Sequence, residues 1–299
     1  MPPAAPHPDE TPAVVPLTLR RASLTPEGGA VWGEVADTVA AEAPLTLRVE
    51  GRTIAVVMRT PGHDRELAAG FLLTENVIHS ARDVFEISIC PSLHQTGATG
   101  ETGDPGDSVD VLLADKSNFD PARLTRHVFT SSSCGICSKT GLTTAIPPER
   151  VLTPSASPLV SASVIATLPE KLRAAQPAFA STGGLHACAW WPFELISESA
   201  LLVCPPLLFE DVGRHNALDK LLGHALLAGQ PLHSGVLLLS GRISFELVQK
   251  AHAACIPTIA AVGAPSSLAV DYAAAAGITL CGFVRPDRVN VYTHASRIG

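Results

Sequence analysis

The chain has 299 residues, 46% of them apolar, 16% charged and only 5% aromatic. That is long and apolar enough for two modest cores, and it excludes disorder as the dominant state. Its 28 acidic side chains against 21 basic ones leave a net charge of −7, which argues against an electrostatic binder of nucleic acid or anionic membrane and confines any basic patch to a local site.

Five prolines in MPPAAPHPDETP deny the start of the chain both helix and ladder hydrogen bonds, so residues 1–16 are expected to be a disordered tail. The same stretch has no early positive charge and no apolar run of a secretory signal, and Pro257, Pro265 and Asp271 interrupt the best transmembrane candidates. A cytoplasmic protein is therefore expected. From 44 to 59 two extended runs flank Glu50-Gly51, the composition of a β-hairpin. Asp64 is placed to cap a helix over 64–77 that sets Leu67, Phe71 and Leu72 on one apolar side. Extended runs at 84–90 and 109–114 complete a small α+β domain over 17–130. Between them, Gly97, Gly100, Gly103 and Gly106 mark 91–108 as an exposed loop.

TSSSCGICSKTG and the later TPSASP make 131–158 a flexible loop and linker. Beyond it the pattern predicts a helix over 161–175, extended runs through LHACAWW and ALLVC, and a helix over 213–227. Strands at 236–239, 258–262 and 278–282 then alternate with helices at 244–253 and 267–276. This order implies parallel strands with right-handed crossovers. Ligands in such sheets bind beyond the carboxyl ends, here Ser240-Gly241-Arg242, Gly263-Ala264-Pro265-Ser266 and Phe283-Val284-Arg285.

Seven cysteines comprise one close pair, Cys134 and Cys137, and five singles, which suits a reducing compartment better than a disulfide scaffold. The pair is flanked by Ser131–Ser133 and Lys139. A nearby ammonium raises the thiolate fraction of a thiol whose ordinary pKa is about 8.5. Two thiols at this spacing suit half a zinc site, a redox dithiol or a sulfur relay. Zinc is the weaker reading, because no second Cys-x-x-Cys occurs and His186 and Cys188 lie far along the chain. For Cys90, Cys188, Cys204, Cys255 and Cys281 the expectation is a buried, inert thiol.

In EDVGRHNALDKLLG, Asp211 is a plausible cap for a helix whose first turn carries Arg214, His215 and Asn216, where free N–H groups favour an anion. His215 with Asp219 and Asn216 with Lys220 are spaced i, i+4 on one polar side, with Leu218, Leu221 and Leu222 facing a core. On this helix alone a solvated face is the simpler reading. A second anion-compatible turn at Ser240-Gly241-Arg242-Ile243-Ser244 shifts the balance toward a phosphate-bearing ligand. Ser181-Thr182-Gly183-Gly184 ahead of His186 reads as an ordinary turn.

Taken together, TPGHDRELAAGFLLTENVI, SSSCGIC, STGGLHACA, EDVGRHNALDKLLG, SGRISFELVQKAHAACIPTIAAVGAPSSLAVDYA and GITLCGFVRPDRVNVYTH resemble the formate dehydrogenase accessory sulfurtransferase family, FdhD, over residues 44–298. The resemblance implies an α+β / α/β fold: a cytidine-deaminase-like three-layer domain over 159–299 with the smaller N-terminal α+β domain. It also implies a sulfurtransferase that acts as a homodimer. Sulfur accepted from a cysteine desulfurase would pass to the molybdenum bis(guanine dinucleotide) cofactor, the bound substrate, before that cofactor enters the formate dehydrogenase apoenzyme. Cys134 would hold the persulfide and Cys137 would be its partner. The nucleotide pocket would be drawn from Ser240, Gly241 and Arg242, from Ala264, Pro265 and Ser266, and from Arg214, His215 and Asn216. Phe283, Val284, Arg285, Pro286, Asp287 and Arg288 would complete it. GDP or GMP would serve as a partial mimic, and no structural metal is expected.

The chain departs from the family pattern at Ser138, which replaces a glycine, in the 91–108 loop, and in CPPLLF before Glu210. Cys188 stands where a deaminase would need its glutamate, and no Pro-Cys-x-x-Cys follows, which disfavours deamination. The alternative to sulfur transfer is a chaperone that only binds the cofactor.

Overall fold

The computed structural model describes residues 13–26, 28–90, 107–117, 119–120, 150–153, 159–195 and 205–299. The first element is a two-stranded antiparallel ribbon, β1 (Val14–Leu24) with β2 (Ala30–Ala40). The pattern reading placed no strand here. Strand β1 also begins inside the stretch expected to be a tail.

A four-stranded sheet follows, built from β3 (Ala43–Val49), β4 (Arg52–Arg59), β5 (Val84–Cys90) and β6 (Asp107–Leu113) in the order β4-β3-β6-β5. The β3–β4 hairpin turns at Glu50 and Gly51, with φ of 53° and 73°, the left-handed pair that a two-residue hairpin requires. Glycine enters that region freely; Glu50 is held there by a carboxylate that accepts from Leu113 N at 2.8 Å and pairs with Lys116. Helix α1 (Asp64–Thr74) lies between β4 and β5 in sequence. His63, not Asp64, is its N-cap. Asp64 instead receives two bonds from the Arg59 guanidinium, at 2.9 and 2.8 Å.

The second sheet contains β7 (His186–Pro192), β8 (Leu207–Asp211), β9 (Gly235–Leu239), β10 (Thr258–Ala261), β11 (Thr279–Arg285) and β12 (Arg288–Thr293). Its order is β12-β11-β10-β9-β7-β8. Strands β9, β10 and β11 are parallel as expected; β7 runs antiparallel to both β8 and β9, and β12 to β11. Alternation along the strands divides two cores. Trp190, Leu237, Leu239 and Ile259 face α4 (Arg214–Leu227), α5 (Phe245–Ala253) and α6 (Ser267–Ala276). Trp191, Val236, Leu238 and Ala260 face α2 (Ala162–Ala174). A short α3 (Pro177–Thr182) ends in the left-handed Gly183 and leads into β7.

The first of these cores runs without interruption into the four-stranded sheet, taking in Leu45, Leu47, Val109, Leu67 and Leu72. Helices α1 and α4 cross at glycines: a Cβ on Gly70 would fall 1.8 Å from Asp219 O, and one on Gly223 1.8 Å from Glu66 O. Only residues without a side chain allow backbones this close. No described helix is long and apolar enough to cross a membrane. The expected 91–108 loop (up to residue 106), most of the 131–158 linker and the ALLVC run lie outside the described residues.

Candidate functional site

Because β7 is antiparallel to its neighbour β9, its first residue, His186, lies at the same edge of the sheet as the carboxyl ends of β8 to β11. The loops at this edge are stitched together. Ser240 N donates to Ala187 O at 3.0 Å and Ser240 Oγ accepts from Ala187 N at 2.9 Å. Gly263 N donates to Gly241 O, Ile243 N to Ala264 O and Phe283 N to Gly263 O, each at 3.0 Å. A Cβ on Gly263 would stand 2.7 Å from Gly241 O and 2.9 Å from Arg242 N, so this turn requires glycine. A Cβ on Gly241 would meet the His186 ring at 3.4 Å.

Arg214 and His215 open α4 over this edge. The Arg214 Nε is buried and meets no acceptor among the described residues, an arrangement that costs desolvation energy unless a ligand supplies one. His215 Nε2 lies 3.0 Å from Glu246 and 3.4 Å from Ser244 Oγ, linking the first turns of α4 and α5. Burial, assisted by the positive fields of Arg214 and His215 and opposed by Asp211, holds the His186 pKa below its ordinary value. An orphaned guanidinium N–H, a helix N-terminus and glycine turns closely surround one edge. This donor set fits an anionic, phosphate-bearing group.

The FVRPDR segment divides. Val284 is wholly buried in the α2-side core, and Arg285 spends its Nη1 on Val262 O and Val284 O, both at 2.8 Å. Pro286 and Asp287 form the turn of the β11–β12 hairpin, exposed with Arg288. Phe283 sits on a β-bulge with φ of 49° and is 36% exposed; it is the aromatic of this segment that remains accessible at the edge. Arg242 is exposed, Pro265 is half-buried, and Ser266 caps α6 by accepting from Ala269 N at 3.3 Å.

Asn216 points elsewhere: its amide donates to Met58 O at 2.7 Å and Asp211 Oδ1 at 3.0 Å. The expected cap at Asp211 is corrected too, since Gly213 is the N-cap. The Asp211 carboxylate, fully buried, accepts from Gly213 N, Thr60 N and Lys220 Nζ. Lys220 also donates to Thr60 O at 2.7 Å. Asp219 pairs with Lys250 at 2.8 Å; burial nonetheless raises its pKa, against the pull of that cation. These residues join the two sheets and do not form the solvated face that their i, i+4 spacing suggested.

Cys134 and Cys137 lie outside the described residues. Of the single cysteines, Cys188 and Cys281 are buried as expected; burial raises both thiol pKa values, that of Cys281 to about 12, and Asp219 and Asp211 add to the rise at Cys188. Cys90 departs from the expectation, being exposed at the end of β5, and Cys255 is half-buried. Pattern reading missed His186 and Glu246 as parts of this edge, whereas Ser244 belonged to the expected Ser240–Ser244 turn. Only His186 carried a signal, its place after the STGG turn.

Fold and site define a mixed α/β protein whose parallel strands end in an anion-receptive edge. The chain belongs to the FdhD/NarQ family, whose profile matches residues 40–299; the β1–β2 ribbon lies ahead of that match except for Ala40, the last residue of β2. It is 46% identical over 284 residues to the sulfur carrier protein FdhD of Streptomyces coelicolor, covering 94% of this chain and 96% of that one. It is 45% identical over 265 residues to the protein of the same name from Mycolicibacterium paratuberculosis, covering 88% and 92%. A crystal structure from Desulfotalea psychrophila, described as a formate dehydrogenase accessory protein, superposes with a TM-score of 0.67 at 25% identity, covering 95% of this chain and 99% of that one.

Proposed function

We propose that this protein is a sulfur carrier serving formate dehydrogenase, and that it delivers sulfur to a molybdenum bis(guanine dinucleotide) cofactor held along the carboxyl edge of the larger sheet. In the first step the Cys134 thiolate attacks the outer sulfur of a cysteine desulfurase persulfide. A new S–S bond forms, the donor's S–S bond breaks, and the donor cysteine leaves as thiolate. Cys137 is the partner that receives or resolves the sulfane sulfur. The cofactor is the cargo; the chain's part is to bind and orient it, with Arg214 Nε and the N–H groups opening α4 taking a phosphate and Phe283 offering a face to a base. His186, held neutral by its surroundings, is a hydrogen-bonding group there and not a fixed charge. The deaminase-like ancestry of this domain and its pairing into a homodimer belong to the same reading.

The buried, orphaned Arg214 Nε is the observation that supports the binding half. The sulfur half rests on the Cys134/Cys137 pair and on the names of the relatives. The test loads the purified protein with a desulfurase and cysteine, then maps peptide masses. One extra sulfur on Cys134 or Cys137 is expected, together with GDP binding that weakens at least about tenfold in Arg214→Gln. Formate dehydrogenase activity that survives replacement of both cysteines by alanine overturns sulfur transfer in favour of a binding chaperone.

A further inference from the structure

Helix α5 has Ser244 at its N-cap and Glu246 in its first turn. A serine at an N-cap ordinarily accepts from a free N–H of its own helix, as Ser266 does for α6 by accepting from Ala269 N at 3.3 Å. Ser244 makes no such bond; its Oγ lies 3.4 Å from His215 Nε2. Glu246 is turned the same way. Lys250 stands four residues on, the spacing of a helix-surface ion pair, but its ammonium bonds Asp219 Oδ1 and Oδ2 at 2.8 Å and Thr74 Oγ1 at 2.9 Å. The Glu246 carboxylate instead meets His215 Nε2 at 3.0 Å, with the two side chains only 15 and 13% exposed. Two residues placed to serve the start of α5 thus hold one ring at the start of α4.

A carboxylate only accepts, so Nε2 carries a proton and the binding face of the ring is fixed. Nδ1 is the nitrogen left over, and it has no partner among the described residues. In the chain His215 follows Arg214, whose buried Nε likewise meets no acceptor among them. The charge of Glu246 opposes an anion at this edge, so whatever it contributes to ligand binding must come through geometry. A ring free to turn offers either nitrogen in many directions; one held at Nε2 offers Nδ1 alone, and its ordering is complete before a ligand arrives.

We propose, on the reading of this edge as a nucleotide site, that Glu246, assisted by Ser244, is a positioning residue: it holds the His215 ring so that Nδ1 serves as a polar contact to the bound nucleotide.

Calorimetric titration of GDP into the full chain is the test. His215→Ala and Glu246→Ala should each weaken GDP binding at least about tenfold, and the double variant should be no more than roughly threefold weaker than either, because Glu246 acts through the ring. Glu246→Gln removes the charge but keeps an oxygen that accepts from Nε2, and it should bind GDP within roughly threefold of the wild type or more tightly. Thermal midpoints verify that each variant keeps its fold. A carboxylate acting only by its charge predicts tighter binding in Glu246→Ala, and one that merely ties α4 to α5 predicts a lowered midpoint with GDP affinity unchanged; either result overturns the proposal. So do losses that add in the double variant, or a Glu246→Gln as weak as Glu246→Ala. A wild type that takes up GDP and is weakened by Arg214→Gln but not by Glu246→Ala overturns this proposal alone, whereas a wild type that binds no GDP overturns the nucleotide reading of the edge and this proposal with it.

Discussion

Lys220 is 1% exposed, and its ammonium reaches Asp211 at 2.8 Å and Thr60 O at 2.7 Å. Removing one member of a buried pair leaves the other charged and uncompensated, at a cost of about 3–5 kcal/mol. Lys220→Met should therefore lose stability of that order in urea unfolding; a loss under about 1 kcal/mol would show that water replaces the cation. His252 makes a different prediction. Its ring bonds Tyr272 OH at 3.0 Å and Arg150 O at 2.7 Å, so Nε2 carries the proton and Nδ1 accepts. Burial lowers its pKa from 6.5, against the favourable bond to Arg150 and with help from the Arg150 charge. Below the unfolded value the unfolded chain takes up a proton that the native ring resists, so the stability contributed by this group is complete above about pH 6.5 and declines as pH falls from there toward the lower native value. The difference in unfolding free energy between wild type and His252→Gln should accordingly shrink between pH 7.5 and 5.5. That difference isolates His252 from Asp219, whose raised pKa acts in the opposite direction. A constant difference would mean that the ring titrates alike in both states.

Among the elements, the crossing of α1 and α4 is the tightest contact, because Gly70 and Gly223 let backbone meet backbone. Gly223→Ala must push the helices apart, and overpacking of this kind costs about 1–3 kcal/mol or more. Gly184→Ala, whose methyl would find only ordinary contact with Ala40 at 3.6 Å, should be near neutral. Equal thermal midpoints for the two variants would contradict the crossing. The same elements show what a sequence can disclose. The parallel unit from β9 to β11 was legible within a few residues because each buried strand is a short apolar run and each crossover helix has its own turn. The ribbon was not, since strands that bury nothing of their own chain lack the alternation that reveals a half-buried strand. Strand β12 did carry that alternation, Val289 and Val291 half-buried between exposed neighbours, but the last strand read from the pattern was the one over 278–282. The polar side of α4 misled for a physical reason: helices α1 and α5 cover it, so its charges pair with Thr60, Asp211 and Lys250 and not with solvent. Within the candidate site, the glycine turns and Arg214 were readable from type and place; the neutral state of His186 depends on burial that no local pattern encodes.

At the scale of the molecule, the two sheets are joined by more than chain continuity. One apolar core passes from Leu45 and Val109 through Leu67 and Leu221 to Leu237 and Ile259. Polar ties run along it, Asn216 to Met58 O, Val212 N to Thr60 Oγ1, Lys220 to Thr60 O and Lys250 to Thr74 Oγ1 at 2.9 Å. Separating the sheets would expose Leu218, Leu221 and Leu222, all at most 1% exposed, and each such side chain costs about 1.5–3 kcal/mol in water. It would also strand the Asp211–Lys220 pair without Thr60. Neither half can open before the other without that penalty, so unfolding should be a single cooperative transition, with calorimetric and van't Hoff enthalpies in a ratio near ~1. Lys220→Met and Gly223→Ala should lower the midpoint of that one transition without dividing it. Two resolved calorimetric peaks in the wild type would mean that the halves are stable apart, and the glycine crossing would then be a docking contact between independent units.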